Sequence, residues 1–147
     1  MWIEDLSPYG AAASCLAVGW LERGREYAAG DCAPEVFSKL ASLLQDPWQP
    51  AVAGGVHPCD LCAYQPEKFG GNNVFIPGEG RVYIAPELIL HYMNAHRYQP
   101  PREFCEAVLA CPPMRSPEYR RALLAAGGPG FLPGLVAAGL SISGRGP

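Results

Sequence analysis

One histidine and two cysteines lie within six residues in the segment GGVHPCDLCAY, residues 54–64. They are His57, Cys59 and Cys62, in a chain that holds only three histidines. Two thiolates separated by two residues in a tight turn can bind the same cation, which is the knuckle geometry of structural zinc sites. The segment therefore predicts half of a metal site, whose remaining ligands lie elsewhere in the chain.

The other two histidines, His91 and His96, follow the C-x2-C pair at a spacing that zinc sites use for histidine pairs. On a regular helix, residues five apart lie about 140° from each other around the axis, so one ion reaches both only if the helix loosens near His96. The two prolines that follow permit such loosening. Otherwise His57, two residues before Cys59 on an extended segment, is the alternative fourth ligand. We expect Cys59, Cys62 and His91 to bind structural Zn²⁺, with His96 favoured over His57 as the fourth ligand.

Other interpretations of the C-x2-C pair stay open. The two cysteines can be buried thiols without a metal, or a redox dithiol, although thioredoxin-type motifs follow a strand and open a helix. A C-x2-C pair can also belong to a zinc deaminase. Such an enzyme needs an H-x-E motif as well, and no histidine here is followed two residues later by glutamate. Glu87, one turn before His91, could orient that ligand, but an acid in the first turn of a helix is the simpler explanation.

Composition and charge limit the classes of function. With 147 residues, 49% of them hydrophobic and 17% charged, the chain is long enough for one domain with its own core. Its formal net charge of −3 opposes a nucleic-acid-binding role. The N-terminus is acidic, and no segment approaches the roughly 18 apolar residues that span a bilayer. We therefore expect a cytoplasmic protein without a membrane partner, whose six cysteines form no disulfide framework.

The apolar pattern predicts the elements that position these residues. The run CLAVGWL is typical of a short strand, and residues 74–76 and 81–84 flank the turn PGEG, which predicts a β-hairpin. Four further segments predict helices, whose first turns are marked by Pro34, Pro86 with Glu87, Pro101, and Ser116 as an N-cap. The predicted fold class is α+β: a small single domain with a zinc knuckle, a β-hairpin and about four helices.

Several motifs of the chain resemble a family of small bacterial proteins known only as a domain of unknown function. They are EDLSPY at 4–9, VGWL at 18–21, H-x-C-x-x-C at 57–62 and H-Y-x-x-x-H-x-Y-x-P-P at 91–101. The resemblance implies a bacterial origin and a compact metal-binding domain, but no activity. After VGWL the family tends to place a histidine before an aromatic residue, where this chain has Arg25, Glu26 and Tyr27, so no ligand is expected there.

The resemblance covers about residues 2–110, and it divides the chain into a core and an extension. We expect one domain over residues 1–141, with the family-like core at 2–110, a helical extension at 112–141 and a flexible tail at 142–147. Trp2, Tyr9 and Trp48 are the candidates for exposed aromatic side chains. Together with the extension, they form the surface on which we expect a partner to bind.

The function predicted from these features is not catalytic. Four protein ligands close a tetrahedral zinc site, and the sequence holds no Walker-A loop, no G-x-S-x-G and no H-E-x-x-H motif. We expect a zinc-stabilised protein-binding module; an immunity-type protein that caps a toxin is one version, by analogy of size and charge alone. The alternatives are a zinc-dependent hydrolase or thiol oxidoreductase and, third, a nucleic-acid-binding zinc module.

Overall fold

The computed structural model describes residues 2–10, 13–49, 57–62 and 69–127, excluding the side chains of His57 and Phe69. The helices and strands in this part of the chain are β1 Cys15–Ala17, α1 Pro34–Leu43, β2 His57–Pro58, β3 Phe69–Gly70, β4 Asn73–Pro77, β5 Val82–Pro86, α2 Ile89–Ala95, α3 Arg102–Ala110 and α4 Pro117–Gly127. The four helices and the small mixed sheet confirm the predicted α+β class.

The three-stranded sheet is built on the predicted hairpin. β4 and β5 pair antiparallel across the PGEG turn, and β1 pairs with β5 in parallel, which gives the order β1-β5-β4. Gly80 in the turn has a φ of +70°, a conformation that glycine adopts without a steric penalty. Apart from Asn73, every residue of β4 and β5 is buried. Both faces of the hairpin are therefore covered, which explains why its strands are continuous apolar runs without alternation.

Helices cover the sheet as their apolar stripes predict. α3 and α4 pack on β4, while α1 packs against α2 and α3. α1 buries Val36, Leu40 and Leu43, which lie on one face of the helix. The hydroxyl oxygen of Ser116 accepts a hydrogen bond from the Tyr119 N–H at 3.1 Å, so the predicted N-cap of α4 is confirmed. The buried Tyr119 hydroxyl then donates to a main-chain carbonyl of β4 at 2.6 Å. This bond fastens α4 to the sheet.

The start of α2 differs from the prediction. Pro86 pairs with Asn73 at the end of β5, so it closes a strand, and the helix begins only at Ile89. Glu87 lies before the helix, and its carboxylate accepts hydrogen bonds from the N–H groups of Gly71 and Asn72 at 3.1 and 3.3 Å. The expectation of a first helical turn at Pro86 was wrong because a proline's fixed φ and missing N–H suit the end of a strand as well.

Trp48 is buried, which contradicts its expected place on the surface. Its side chain is 0% exposed, and its ring meets that of Phe75 edge to face with centroids 5.6 Å apart. Burying the indole against the sheet removes a large apolar area from water. Trp2 and Tyr9 are half-buried; the Arg25 guanidinium lies 4.5 Å from the Trp2 ring, and Tyr9 packs on Trp20.

The structure describes the predicted extension only in part. The described residues end at Gly127, the last residue of α4. The rest of the extension and the predicted tail at 142–147 therefore lie outside the described residues. Within the described ranges, none of the helices has the length and apolar character that crossing a bilayer requires. The element that the structure describes in the extension after Pro112, where we expect part of the partner surface, is thus α4.

Candidate metal centre

Four candidate ligands from two segments of the chain meet at one point. One ligand atom each from Cys59, Cys62, His91 and His96 lies within 4.8 Å of every other. The Cys62 Sγ lies 3.2 Å from the His91 Nε2 and 3.5 Å from the His96 Nε2, and the Cys59 Sγ lies 3.4 Å from the same His96 atom. The structure thus brings together four of the five residues that the sequence proposes as ligands.

These distances agree with a tetrahedral metal site. Zinc bonds of about 2.3 Å to sulfur and about 2.05 Å to nitrogen, at the tetrahedral angle, place a sulfur and a nitrogen about 3.6 Å apart. The three sulfur–nitrogen distances, 3.2, 3.4 and 3.5 Å, are slightly shorter than that value. Two thiolates and two imidazoles are also soft and intermediate donors. Such donors favour zinc over harder cations, which prefer oxygen ligands. The cluster can therefore hold a metal ion with little rearrangement.

The end of α2 explains how both histidines reach the same point. α2 ends at Ala95, and His96 has φ −120° and ψ 11°, outside the regular helix. Arg97 follows with a φ of +53°, the left-handed conformation that commonly ends a helix. The two imidazole rings lie 5.0 Å apart between centroids, at an angle of 84°. The loosening that the sequence required near His96 is thus present.

A set of tyrosines holds this helix end in place. The Tyr27 hydroxyl donates to the main-chain carbonyl of His96 at 2.9 Å, and the Tyr98 hydroxyl donates to an Asp5 carboxylate oxygen at 2.7 Å. The other Asp5 oxygen accepts the Gly19 N–H at 2.9 Å. Asp5 and Tyr98 belong to the EDLSPY and H-Y-x-x-x-H-x-Y-x-P-P motifs, so these motifs meet in space beside His96.

The cysteine loop is supported by the segment after VGWL. The Arg23 N–H donates to an Asp60 carboxylate oxygen at 3.1 Å, and the Arg23 guanidinium donates to the Cys62 carbonyl at 3.0 Å. The sequence predicted no ligand in this segment, and it missed that Arg23 and Tyr27 hold the ligand loops. The one available signal was Asp60, because short carboxylates in turns commonly accept main-chain N–H groups.

Burial at the cluster disfavours charge on the Cys59 thiol. Cys59 is 0% exposed, while the other three ligands are half-buried. Burial raises the pKa of the Cys59 thiol, and burial followed by the charges of Cys59 and Asp60 raises the pKa of Tyr92 behind it. A bound divalent cation reverses this preference because it stabilises the thiolate directly. Metal binding and deprotonation of the cysteines are therefore coupled.

The remaining candidate, His57, is described only in its backbone, which pairs with Gly70 between β2 and β3. Its side chain lies outside the described part of the structure, so its role as the alternative fourth ligand stays a prediction. The orienting role of Glu87, which the sequence offered only as the less simple alternative, has no support, since that carboxylate accepts hydrogen bonds from main-chain N–H groups. The other cysteines, Cys15, Cys32, Cys105 and Cys111, are free thiols.

The comparison with protein families places most of this structure in one domain type. The model of a family described as a domain of unknown function, DUF7919, matches residues 1–109. The chain belongs to this family. The matched residues therefore include the three-stranded sheet, the four candidate metal ligands and nearly all of α3, whereas α4 lies beyond them. No curated protein and no solved structure matches the chain. The family is described as a domain of unknown function, so membership of it assigns no activity to the chain.

Proposed function

We propose that the chain is a non-enzymatic, cytoplasmic binding protein whose fold is stabilised by one structural zinc ion. The observation that carries the proposal is the group of four ligand atoms within 4.8 Å of one another. These ligands tie the end of α2 to a loop whose neighbouring strands, β2 and β3, have two residues each. Such short strands contribute few hydrogen bonds, so an ion at this point would contribute much of the local folding free energy.

The number of donors supports a structural role for the ion over a catalytic one. Structural zinc sites are filled by four protein ligands, whereas catalytic sites keep one position for water or substrate. Cys59, Cys62, His91 and His96 supply all four positions. Both histidines whose side chains are described are then bound to the ion, and neither is available for acid–base chemistry.

Replacing the zinc with Co²⁺ tests whether the site is closed. The visible absorption of bound Co²⁺ reports its coordination, and we expect added azide or cyanide to leave the spectrum of the wild-type protein unchanged. The variant His96→Ala is the matched control. Its three remaining ligands bind the ion too weakly to keep it through purification, so the variant is loaded with excess Co²⁺, and its one open position should then respond to the same anions. A response of the wild type would show a vacant position and would favour a zinc-dependent hydrolase.

A groove beside α3 and α4 supports the protein-binding part of the proposal. It has a volume of about 840 Å³ and lies between these helices and the hairpin turn. Its edge carries Glu79, Glu103 and Glu106 against the single cation Arg81. Apart from Glu103 and Glu106, the side chains that the two helices contribute to it are small, those of Ala107, Ala110, Ala122, Ala125 and Ala126. A slender, basic segment of a partner protein would fit both its shape and its charge.

Each of the same two helices also carries an exposed leucine. Leu109 of α3 is 50% exposed and Leu124 of α4 is 41% exposed. Among the described residues, these are the large hydrophobic side chains that are exposed to solvent. The centre of a protein interface is more apolar than the rest of the surface, so exposed leucines are candidates for contact with a partner. We therefore place the partner on α3, α4 and the hairpin turn; a toxin would be the partner in an immunity-type role.

Charge reversal tests this surface. The double variant Glu79→Lys with Glu103→Lys should lose the partner that the wild type retains from cells that produce the protein, and added salt should weaken capture by the wild type. Glu35→Lys is the matched control, since Glu35 is an exposed acid in the first turn of α1. If the groove variant and the control retain the same proteins, the groove is not the binding surface.

A further inference from the structure

Two cysteines outside the metal cluster lie side by side in the fold. Cys32 comes just before α1 and Cys105 lies in α3, and these two helices pack against each other. Both line one surface cleft of about 650 Å³, together with Asp31 and Pro100. Both are half-buried and both are free thiols. A small reagent that enters the cleft can therefore reach either sulfur.

Cys32 affects the ionisation of Cys105. Burial, and then the charge of Cys32 and a hydrogen bond with its side chain, raise the pKa of Cys105 to about 12. The Cys105 thiol also points to the Pro100 carbonyl, with sulfur and oxygen 3.8 Å apart. Cys105 is therefore held as a protonated thiol beside Cys32.

The surroundings of this pair favour thiol chemistry over metal binding. Among the described residues, the side chains that converge as possible metal ligands are those around Cys59. Neither Cys32 nor Cys105 belongs to a group of three or more such side chains. Two sulfurs without further donors do not complete a zinc site. The reaction open to two neighbouring thiols is oxidation to a disulfide.

We propose that Cys32 and Cys105 form a reversible disulfide when the protein meets a peroxide. In the first step, the Cys32 thiolate attacks one peroxide oxygen: an S–O bond forms, the O–O bond breaks, and the leaving hydroxide takes up a proton as water. In the second step, the sulfur of Cys105 attacks the sulfenic acid: the S–S bond forms, the S–O bond breaks, and the hydroxyl leaves with the Cys105 proton as a second water. The two thiols lose two electrons and the peroxide gains them. A dithiol reductant reverses the change.

Peptide mapping of the zinc-loaded protein tests the proposal. After treatment with equimolar hydrogen peroxide and blocking with iodoacetamide, tryptic digestion without reductant should give peptide 26–39 joined to peptide 103–115. Fragmentation should place the bond at Cys105, not at Cys111 on the same peptide. Dithiothreitol should separate the peptides, and the zinc content should stay unchanged throughout.

Two variants complete the test. Cys32→Ser should leave Cys105 open to alkylation after peroxide treatment, whereas Cys111→Ser should still form the linked peptides. The mapping of the wild type needs no variant, so a folding defect in either one does not remove the test. Three outcomes would overturn the proposal: alkylated Cys32 after oxidation, a disulfide at Cys105 in the Cys32→Ser variant, or oxidation confined to peptide 40–68 with loss of zinc.

Discussion

Replacing Cys59 with serine separates the contribution of the metal from that of packing. Cys59 and Cys15 are both 0% exposed, so a serine at either position buries a hydroxyl group in place of a thiol. That change alone costs about 1–3 kcal/mol. Only Cys59 belongs to the metal cluster, with its Sγ 3.4 Å from the His96 Nε2. Cys15→Ser is therefore the matched control, and the difference between the two variants measures the metal's contribution.

The size of that difference follows from mass action. A ligand at 1,000 times its dissociation constant stabilises the folded state by about 4.1 kcal/mol. In a chain of this length, each kcal/mol shifts the melting temperature by about 2–4 °C. With zinc in such excess, Cys59→Ser should melt about 8–16 °C below Cys15→Ser, if the serine variant no longer binds the ion.

Thermal melts followed by circular dichroism, with zinc or with excess chelator, measure these shifts. We expect the chelator to lower the melting temperatures of the wild type and of Cys15→Ser by similar amounts. Cys59→Ser should not respond, because it has no metal to lose. Equal melting temperatures of the two variants in zinc, together with a wild type that ignores the chelator, would refute the reasoning. The C-x2-C pair would then be two packed thiols without a metal.

Further predictions concern single side chains. Elemental analysis should find that His91→Ala and His96→Ala have lost the bound zinc, whereas His57→Ala keeps about one ion per chain; zinc loss from His57→Ala would make that residue a ligand. Tyr119→Phe removes a hydroxyl that donates at 2.6 Å to a buried carbonyl of β4, so urea unfolding should show a loss of about 1–3 kcal/mol, and an unchanged midpoint would contradict this. Burial raises the pKa of Asp5 in the folded protein above its value in the unfolded chain. The protonated carboxyl group therefore contributes stability at pH values below the unfolded pKa, and this stability is lost as the pH rises through the folded pKa. Unfolding at several pH values should therefore show Asp5→Asn gaining stability relative to wild type as the pH rises through that window, and a constant difference would argue against it.

The features that the sequence predicted well are local ones. The hairpin follows from two apolar runs around PGEG, and the end of α2 near His96 follows from the prolines that come next. The Cys59–Cys62 spacing and the placement of His91 on α2 with His96 just after its end likewise depend on few residues. Each of these signals acts over a single turn or strand, where dihedral preferences and hydrogen bonding within the segment decide the outcome.

The features that the sequence did not predict depend on contacts between distant segments. Trp48 is buried because the chain after α1 returns to β4, which no local pattern reveals. The supports from Arg23 and Tyr27 to the ligand loops are long-range hydrogen bonds of the same kind. The neighbourhood of Cys32 and Cys105 arises only when α1 packs on α3. Tertiary packing, which periodicity does not encode, decides all of these.

X-ray absorption at the zinc edge of the purified protein tests the central claim most directly. A closed site with two cysteines and two histidines predicts two sulfur neighbours at about 2.3 Å and two nitrogen neighbours at about 2.0–2.1 Å from the zinc. Co-purified zinc without a sulfur neighbour near 2.3 Å, or with a water oxygen in place of one protein donor, would contradict the structural site proposed here.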